Sequence, residues 1–169
     1  MRTDTFEGQC GCGDIRYRMT SRPLFVHCCH CSWCQRESGA AFALNAMIET
    51  ARLELLQGEP IMVDTPSNSG KGQRIARCPR CHVALWSHYA GAGQAIAFVR
   101  VGTLREPARC PPDIHIFAST RQPWLQLGDG IPVMQEYYER ADHWPAASLA
   151  RREALLSARP TQGSSMPPS

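Results

Sequence analysis

Within the stretch HCCHCSWC, His27 to Cys34, four cysteines and two histidines fall in eight consecutive residues. Soft donors packed this densely allow three chemistries: a disulfide framework, a metal site or a nucleophilic thiol. Two further groups complete the pattern, Cys10 and Cys12 in QCGCGDIRY and Cys78 and Cys81 in CPRC. The chain has nine cysteines, an odd number that cannot pair completely. Its first residues, MRTDTFEGQC, hold no apolar stretch that could act as a secretory signal, which points to a cytoplasmic location. In a reducing compartment clustered cysteines more often bind metal or do chemistry than form disulfides.

Zinc takes four donors at a tetrahedral point. Cys78 and Cys81, two residues apart in a turn, can aim both sulfurs at one such point. Joined by Cys10 and Cys12, they make a closed four-thiolate site of structural type; buried free thiols or a redox dithiol are the alternatives. Gly11 and Gly13 are expected to free the tight turn around the first pair. Cys29, Cys31 and Cys34 instead supply three donors and leave the fourth position to water or substrate, the arrangement of a catalytic zinc. Three thiolates outweigh the metal's double charge, so such a zinc is a weak Lewis acid suited to a soft sulfur ligand. The chemistry favoured is the binding and activation of a thiol, whose thiolate is the reactive form. A second closed site is the competing reading, with Cys28, Cys110 or His30 as the missing donor. Cys28 adjoins Cys29, and neighbours in an extended chain point opposite ways, so it reads as a small buried side chain.

The elements must bring these residues together. At 169 residues, 43% hydrophobic and 20% charged, the chain suits one globular domain, and no apolar run reaches membrane-spanning length. Alternation in GDIRYRM puts Ile15 and Tyr17 on one face and Arg16 and Arg18 on the other, a strand signature. AFALNAMIE does the same with Phe42, Leu44 and Ile48. RLELLQ, QRIARC, VALWSHY, AIAFVRVG and DIHIFAS predict further short strands, separated by turns at QGEP, TPSNSGKG, GAG and CPPD. The expectation is a mainly β, antiparallel fold. Helix is expected only late, in PAASLARREALLSAR after Pro145, followed by a flexible tail, PTQGSSMPPS. The net charge of +3 comes from 17 arginines and a single lysine, Lys71, scattered along the chain. Nucleic-acid binding would leave a more concentrated basic footprint.

Four segments, GQCGCGDIRY, CHCSWCQRESGAAF, CPRCHVALW and HIFASTRQPW, occur in order and together resemble the glutathione-dependent formaldehyde-activating enzyme family, which includes a centromere-associated branch. The resemblance spans about residues 7–130. It implies a β-tent (Mss4-like) fold with antiparallel sheets and zinc knuckles. The chain then divides into a zinc-binding β domain, residues 1–136, and a C-terminal extension, residues 137–169, with its short helix. Two Zn2+ per chain are implied: a structural ion at Cys10, Cys12, Cys78 and Cys81, and a catalytic one at Cys29, Cys31 and Cys34, more labile because three ligands hold it. The family's activity is condensation of glutathione with formaldehyde to S-hydroxymethylglutathione, formally a carbon–sulfur lyase run backwards. A non-catalytic, zinc-ribbon-like module for protein or nucleic acid is the second function the family offers.

On that reading the substrate is a small thiol such as glutathione, and its carboxylates call for arginine forks. Arg36, two residues past the last ligand, is the first candidate, followed by Arg80 and Arg121. Glu37 and His30 are candidates to relay a proton to the developing alkoxide. His115 shares a strand face with Asp113 and Phe117, where it would line a pocket or serve as a structural histidine. Trp86 and Trp124 read as core residues, with aromatic cover of a zinc pocket as the alternative.

Overall fold

The computed structural model describes residues 4–128 and 130–158. A small sheet forms first. Strands β1 (Phe6–Gln9) and β2 (Arg16–Met19) pair antiparallel on either side of the turn that carries Cys10 and Cys12. In β2 the predicted alternation is realised: Tyr17 and Met19 are fully buried while Arg16 and Arg18 are half-buried. Gly13 sits in that turn at φ 81°, a left-handed conformation that glycine adopts without a Cβ clash. Gly11 is not among the positive-φ residues, so only one of the two expected glycines is needed for its backbone freedom.

The large sheet is built from β3 (Phe25–Cys29), β4 (Ala43–Glu49), β6 (Ile61–Thr65), β7 (Gln73–Arg77), β8 (Ala84–Tyr89), β9 (Ile96–Arg100) and β10 (Ile114–Ile116). Its order is β10-β3-β4-β9-β8-β7-β6, and β5 (Leu53–Gln57) leaves it to complete the small sheet beside β2. Pairing is antiparallel throughout except between β10 and β3, which run parallel. The fold is therefore mainly β, as read from the alternating runs.

The inner strand β4 differs from a one-sided strand: six of its seven residues, all but Leu44, are buried. Both of its faces are covered, so alternation of burial disappears. Ala46 and Ile48 join Tyr17, Met19, Trp86 and Val99 in a core between the two sheets, where Tyr17 and Trp86 meet edge to face at 5.5 Å. Met47 joins Phe25, Ile114, Tyr138 and Trp144 in a second core on the opposite face.

Helix occurs earlier than expected. Seven residues directly after the cysteine-rich segment form α1 (Ser32–Ser38), opened by Cys31, whose sulfur accepts from the Cys34 amide, and closed by Gly39 at φ 65°. Its caps make this helix, and it buries no residue fully, so apolar periodicity could not announce it. Late in the chain come α2 (Arg140–His143) and α3 (Ala146–Ser157), the latter inside the predicted segment. The tail expected over residues 160–169 lies outside the described residues. No described helix is long and apolar enough to cross a membrane.

Residues 137–158 are bound to the β structure. Tyr138 and Trp144 belong to the second core, and Arg151 on α3 donates to Glu49 at the end of β4. Burial raises the Glu49 carboxyl, but the hydrogen bonds from Arg151, a backbone hydrogen bond and the charges of Arg151 and Arg52 together outweigh it and hold it below the ordinary 4.5. Because the folded value is the lower one, this contribution is complete above the unfolded carboxyl's value and is lost as pH falls through the folded value. Arg151→Ala is expected to lower stability by about 1–3 kcal/mol at neutral pH, since it leaves the buried Glu49 carboxylate with only Arg52, 3.4 Å away, as counter-charge. Urea unfolding from pH 7 to pH 3 checks this: the gap to the parent closes in acid, and a gap independent of pH would contradict the pairing.

Candidate functional site

Two turns meet at one edge of the core between the sheets. The β1–β2 turn brings Cys10 and Cys12, and the β7–β8 turn brings Cys78 and Cys81; their sulfurs all lie within 4.8 Å of one another. Cys12 Sγ stands 3.5 Å from Cys10 Sγ and 3.6 Å from Cys78 Sγ. Four thiolates around a tetrahedral zinc at ~2.3 Å stand about 3.8 Å apart, so this donor set fits the ion. Backbone amides face the sulfurs: Ile15 N–H donates to Cys10 Sγ at 3.3 Å and Cys81 N–H to Cys78 Sγ at 3.5 Å.

The second group sits on the other face of the large sheet. Successive residues of β3 point to opposite faces. Accordingly Val26 lies in the core between the sheets, whereas Phe25 and Cys29 lie in the second core. Cys31 ends the same segment and caps α1, and Cys34 lies one turn into that helix. The three sulfurs of Cys29, Cys31 and Cys34 lie within 4.8 Å of one another. Cys31 is the acid among them: hydrogen bonds from Cys29 and Cys34 pull it down to about 2. Cys29 is raised, by its hydrogen bonds to Cys31 and Cys34 and then by burial. Three adjacent thiols ionise together only if a cation offsets their repulsion, which is what a divalent metal would supply.

These sulfurs lie in the wall of a cavity of about 470 Å³. An adjoining groove of about 830 Å³ shares Trp33, Ser67, Asn68, Lys71, Gln73 and Tyr89 with it. The loop after β6, which carries Lys71, therefore borders both spaces. Glu37 on α1 also lines the cavity, held between two arginines: Arg100 donates to it at 3.0 Å and Arg77 donates to its other oxygen. Arg100 also donates to Asn45 at 2.5 Å. This clamp ties α1 to β7 and β9. On the far side stands His27, whose Nε2 is 2.5 Å from the Tyr138 hydroxyl, itself an acceptor for Trp144 Nε1–H at 2.7 Å. Burial, with the charge of Arg140 behind it, lowers His27 to about 4, so its ring is neutral.

Several expected residues stand elsewhere. Arg36 is not in the cavity lining; its guanidinium lies 5.6 Å from the centroid of the Trp33 ring. Arg80 pairs with Asp14 at 3.2 Å beside the first cysteine group, and Arg121 is exposed outside the cavity. His30 is fully buried on the face opposite Cys29, where its Nε2 lies 2.9 Å from His115 Nδ1 and 3.6 Å from Cys28 Sγ. Register explains this, because β10 sets His115 beside Cys28. These three form a further buried group with donor atoms within 4.8 Å, and the imidazole–imidazole hydrogen bond accounts for the pair. His115 thus faces His30, and of its expected companions only Phe117 lines the cavity, while Asp113 accepts from the Val26 amide at 2.8 Å. Cys110 is buried between the sheets and joins neither thiol group. Trp86 is core, whereas Trp124 is 69% exposed and belongs to neither core nor cavity.

Lys71, Tyr89, Arg100, Tyr137 and Arg140 line the cavity and were not picked out from the sequence. No spacing joins them, since they come from separate strands, a loop and the C-terminal segment.

Comparison with known proteins finds a family for the chain. The family model described as glutathione-dependent formaldehyde-activating enzyme matches residues 5–120. A Halomonas elongata protein, provisionally named a glutathione-dependent formaldehyde-activating enzyme, is 25% identical over 126 residues, covering 72% of this chain and 80% of the relative. A crystal structure of a Rhodobacter sphaeroides protein aligns with 59% of this chain and 87% of its own at 17% identity, with a TM-score of 0.43.

Glu37→Ala should leave Arg77 and Arg100 without their shared counter-charge and cost about 2–4 kcal/mol of stability in urea unfolding. Glu37→Gln, which keeps an acceptor, should lose less. Equal stability of Glu37→Ala and the parent would contradict the clamp.

Proposed function

The chain belongs to the glutathione-dependent formaldehyde-activating enzyme family, and from that premise we propose that it is a carbon–sulfur bond-forming enzyme that condenses glutathione with formaldehyde to S-hydroxymethylglutathione. One observation carries this reading: three sulfurs, Cys29, Cys31 and Cys34, gathered in the wall of a cavity with no fourth metal-binding donor beside them among the described residues. Cys29, Cys31 and Cys34 would hold a catalytic Zn2+, and Cys10, Cys12, Cys78 and Cys81 a structural one. The catalytic ion, when bound, supplies the positive charge that keeps a substrate thiol ionised at neutral pH.

The protein's own groups do the rest. In the proposed step the substrate sulfur donates an electron pair to the formaldehyde carbon. The C–S bond forms as the C=O π bond opens, and the oxygen takes up a proton. Burial raises the Tyr89 phenol above its usual range, so it keeps its proton and offers an O–H donor to the developing oxyanion. Glu37 is engaged by two guanidinium groups, so its role here is to hold α1, and with it Cys34, against the sheet. Trp33, Phe98 and Phe117 give the cavity apolar walls, which limit competing water.

The alternative, a binding module for nucleic acid or protein, calls for a free basic face. Here Arg18, Arg22, Arg52, Arg74, Arg80 and Arg105 are each matched by a carboxylate. That pattern favours the enzyme.

Two-dimensional exchange NMR on a glutathione–formaldehyde mixture at fixed pH tests the reading, with the uncatalysed exchange as control. Exchange should accelerate with the protein and return to background with Cys31→Ser, whose fold and melting temperature are retained. Cys78→Ser, by contrast, should lose metal and unfold at lower temperature, because binding free energy is folding free energy at a closed site. Background exchange with the fully metallated parent would rule the activity out.

A further inference from the structure

The family match ends at residue 120, yet the cavity does not. Tyr137 and Arg140, from the C-terminal segment, form part of its wall. Three cationic side chains line the space: Lys71, Arg100 and Arg140. Against them stands a single carboxylate, Glu37, which is already shared by Arg77 and Arg100. Lys71 and Arg140 are left without a carboxylate within ion-pair distance among the described residues.

Arg140 is also held in place. Its guanidinium lies 6.0 Å from the centroid of the Trp144 ring, and Trp144 is anchored in the second core and donates to Tyr138. Yet its Nε is buried with no hydrogen-bond partner among the described residues. A desolvated guanidinium N–H without an acceptor is costly, and guanidinium geometry matches a carboxylate with two parallel hydrogen bonds. A ligand carboxylate in the cavity would offset the unbalanced charge of Lys71 and Arg140. Arg36, expected in this role from its position beside the ligands, lies over Trp33 instead.

We propose that Arg140 is the carboxylate anchor of the cavity, and that the C-terminal segment thereby restricts this protein to thiols carrying a carboxylate at a distance from the sulfur. The inference deepens the proposed function and rests on its placing of the thiol at Cys29, Cys31 and Cys34. The sulfur is held at one wall and the carboxylate at another, so the length between them selects the substrate. Arg140 acts by binding and takes no part in proton transfer. Uncharged thiols of the same size forfeit the anchor and leave the cavity's cationic charge unmatched, a basis for rejection.

Isothermal titration of the metal-loaded full chain tests this with four thiols: glutathione, its diethyl ester, 2-mercaptoethanol and 3-mercaptopropionate. Arg140→Gln should weaken glutathione binding roughly 10- to 100-fold and leave 2-mercaptoethanol unchanged, with an unaltered melting temperature. Equal binding of glutathione by Arg140→Gln and the parent overturns the proposal, as does an equal loss for 2-mercaptoethanol. Should the variant fail to fold, the parent decides: it must bind glutathione more tightly than the ester or 2-mercaptoethanol, and equal affinity for all three overturns the anchor. If glutathione binds through Arg140 but its exchange with formaldehyde is not accelerated, the anchor stands and the assigned reaction fails. If glutathione does not bind but 3-mercaptopropionate does, in an Arg140-dependent way, the anchor stands with a different thiol. No binding of any carboxylate-bearing thiol overturns it.

Discussion

Four sulfurs from two turns, with Cys12 and Cys78 separated by 66 residues, are the contact on which the architecture turns. The β1–β2 turn belongs to the small sheet and the β7–β8 turn to the large one, so their meeting holds one sheet across the other. Cys10 and Cys78 are themselves members of the core between the sheets, beside Tyr17 and Trp86. Thiolates crowded this closely would repel one another and face an apolar interior; a divalent cation bound at their centre would turn that cost into attraction. With this face of the large sheet closed, its other face carries the second thiol group, the cavity and the C-terminal segment.

The division of labour between the faces follows from the pleat of β3. Cys28 and His30 project one way, toward His115 on the parallel neighbour β10; Cys29 and Cys31 project the other, toward the cavity. A one-residue slip of β3 would exchange these sets and put Cys28 and His30 where Cys29 and Cys31 now stand. Parallel pairing with β10, the Asp113 hydrogen bond to Val26 and antiparallel pairing with β4 all fix that register. Around the thiols the charges are arranged in two tiers. Glu37, Arg77 and Arg100 satisfy one another and brace α1, while Lys71 and Arg140 remain unmatched by carboxylates among the described residues.

Much of this was legible in the sequence because its signals are local. Cysteine spacing separated the two thiol groups, and alternation found β2, β5, β7, β8, β9 and β10, as the composition of the last segment found α3. What escaped depends on contacts between distant residues. Helix α1 rests on a sulfur cap and a left-handed glycine rather than on a periodic apolar face. Strand β4 was found in AFALNAMIE, but its one-sided burial was not realised, because both of its faces are covered, and β1, β3 and β6 were not picked out at all. Arg36 was favoured for lying near the ligands in sequence, but on a short helix that nearness turned it toward Trp33. Arg140, 106 residues beyond Cys34 in the numbering, reaches the same cavity only because Tyr138 and Trp144 dock its segment on the second core.

Native mass spectrometry of the zinc-loaded chain under stepwise chelation, followed alongside circular dichroism, tests the central claim most directly. Two thiol groups on opposite faces of one sheet, one closed and one open to a cavity, should give two zinc equivalents that leave separately. The first, from Cys29, Cys31 and Cys34, should depart with the fold intact, and the second only as the β structure melts. A single equivalent, or two lost together with the fold, would contradict the account.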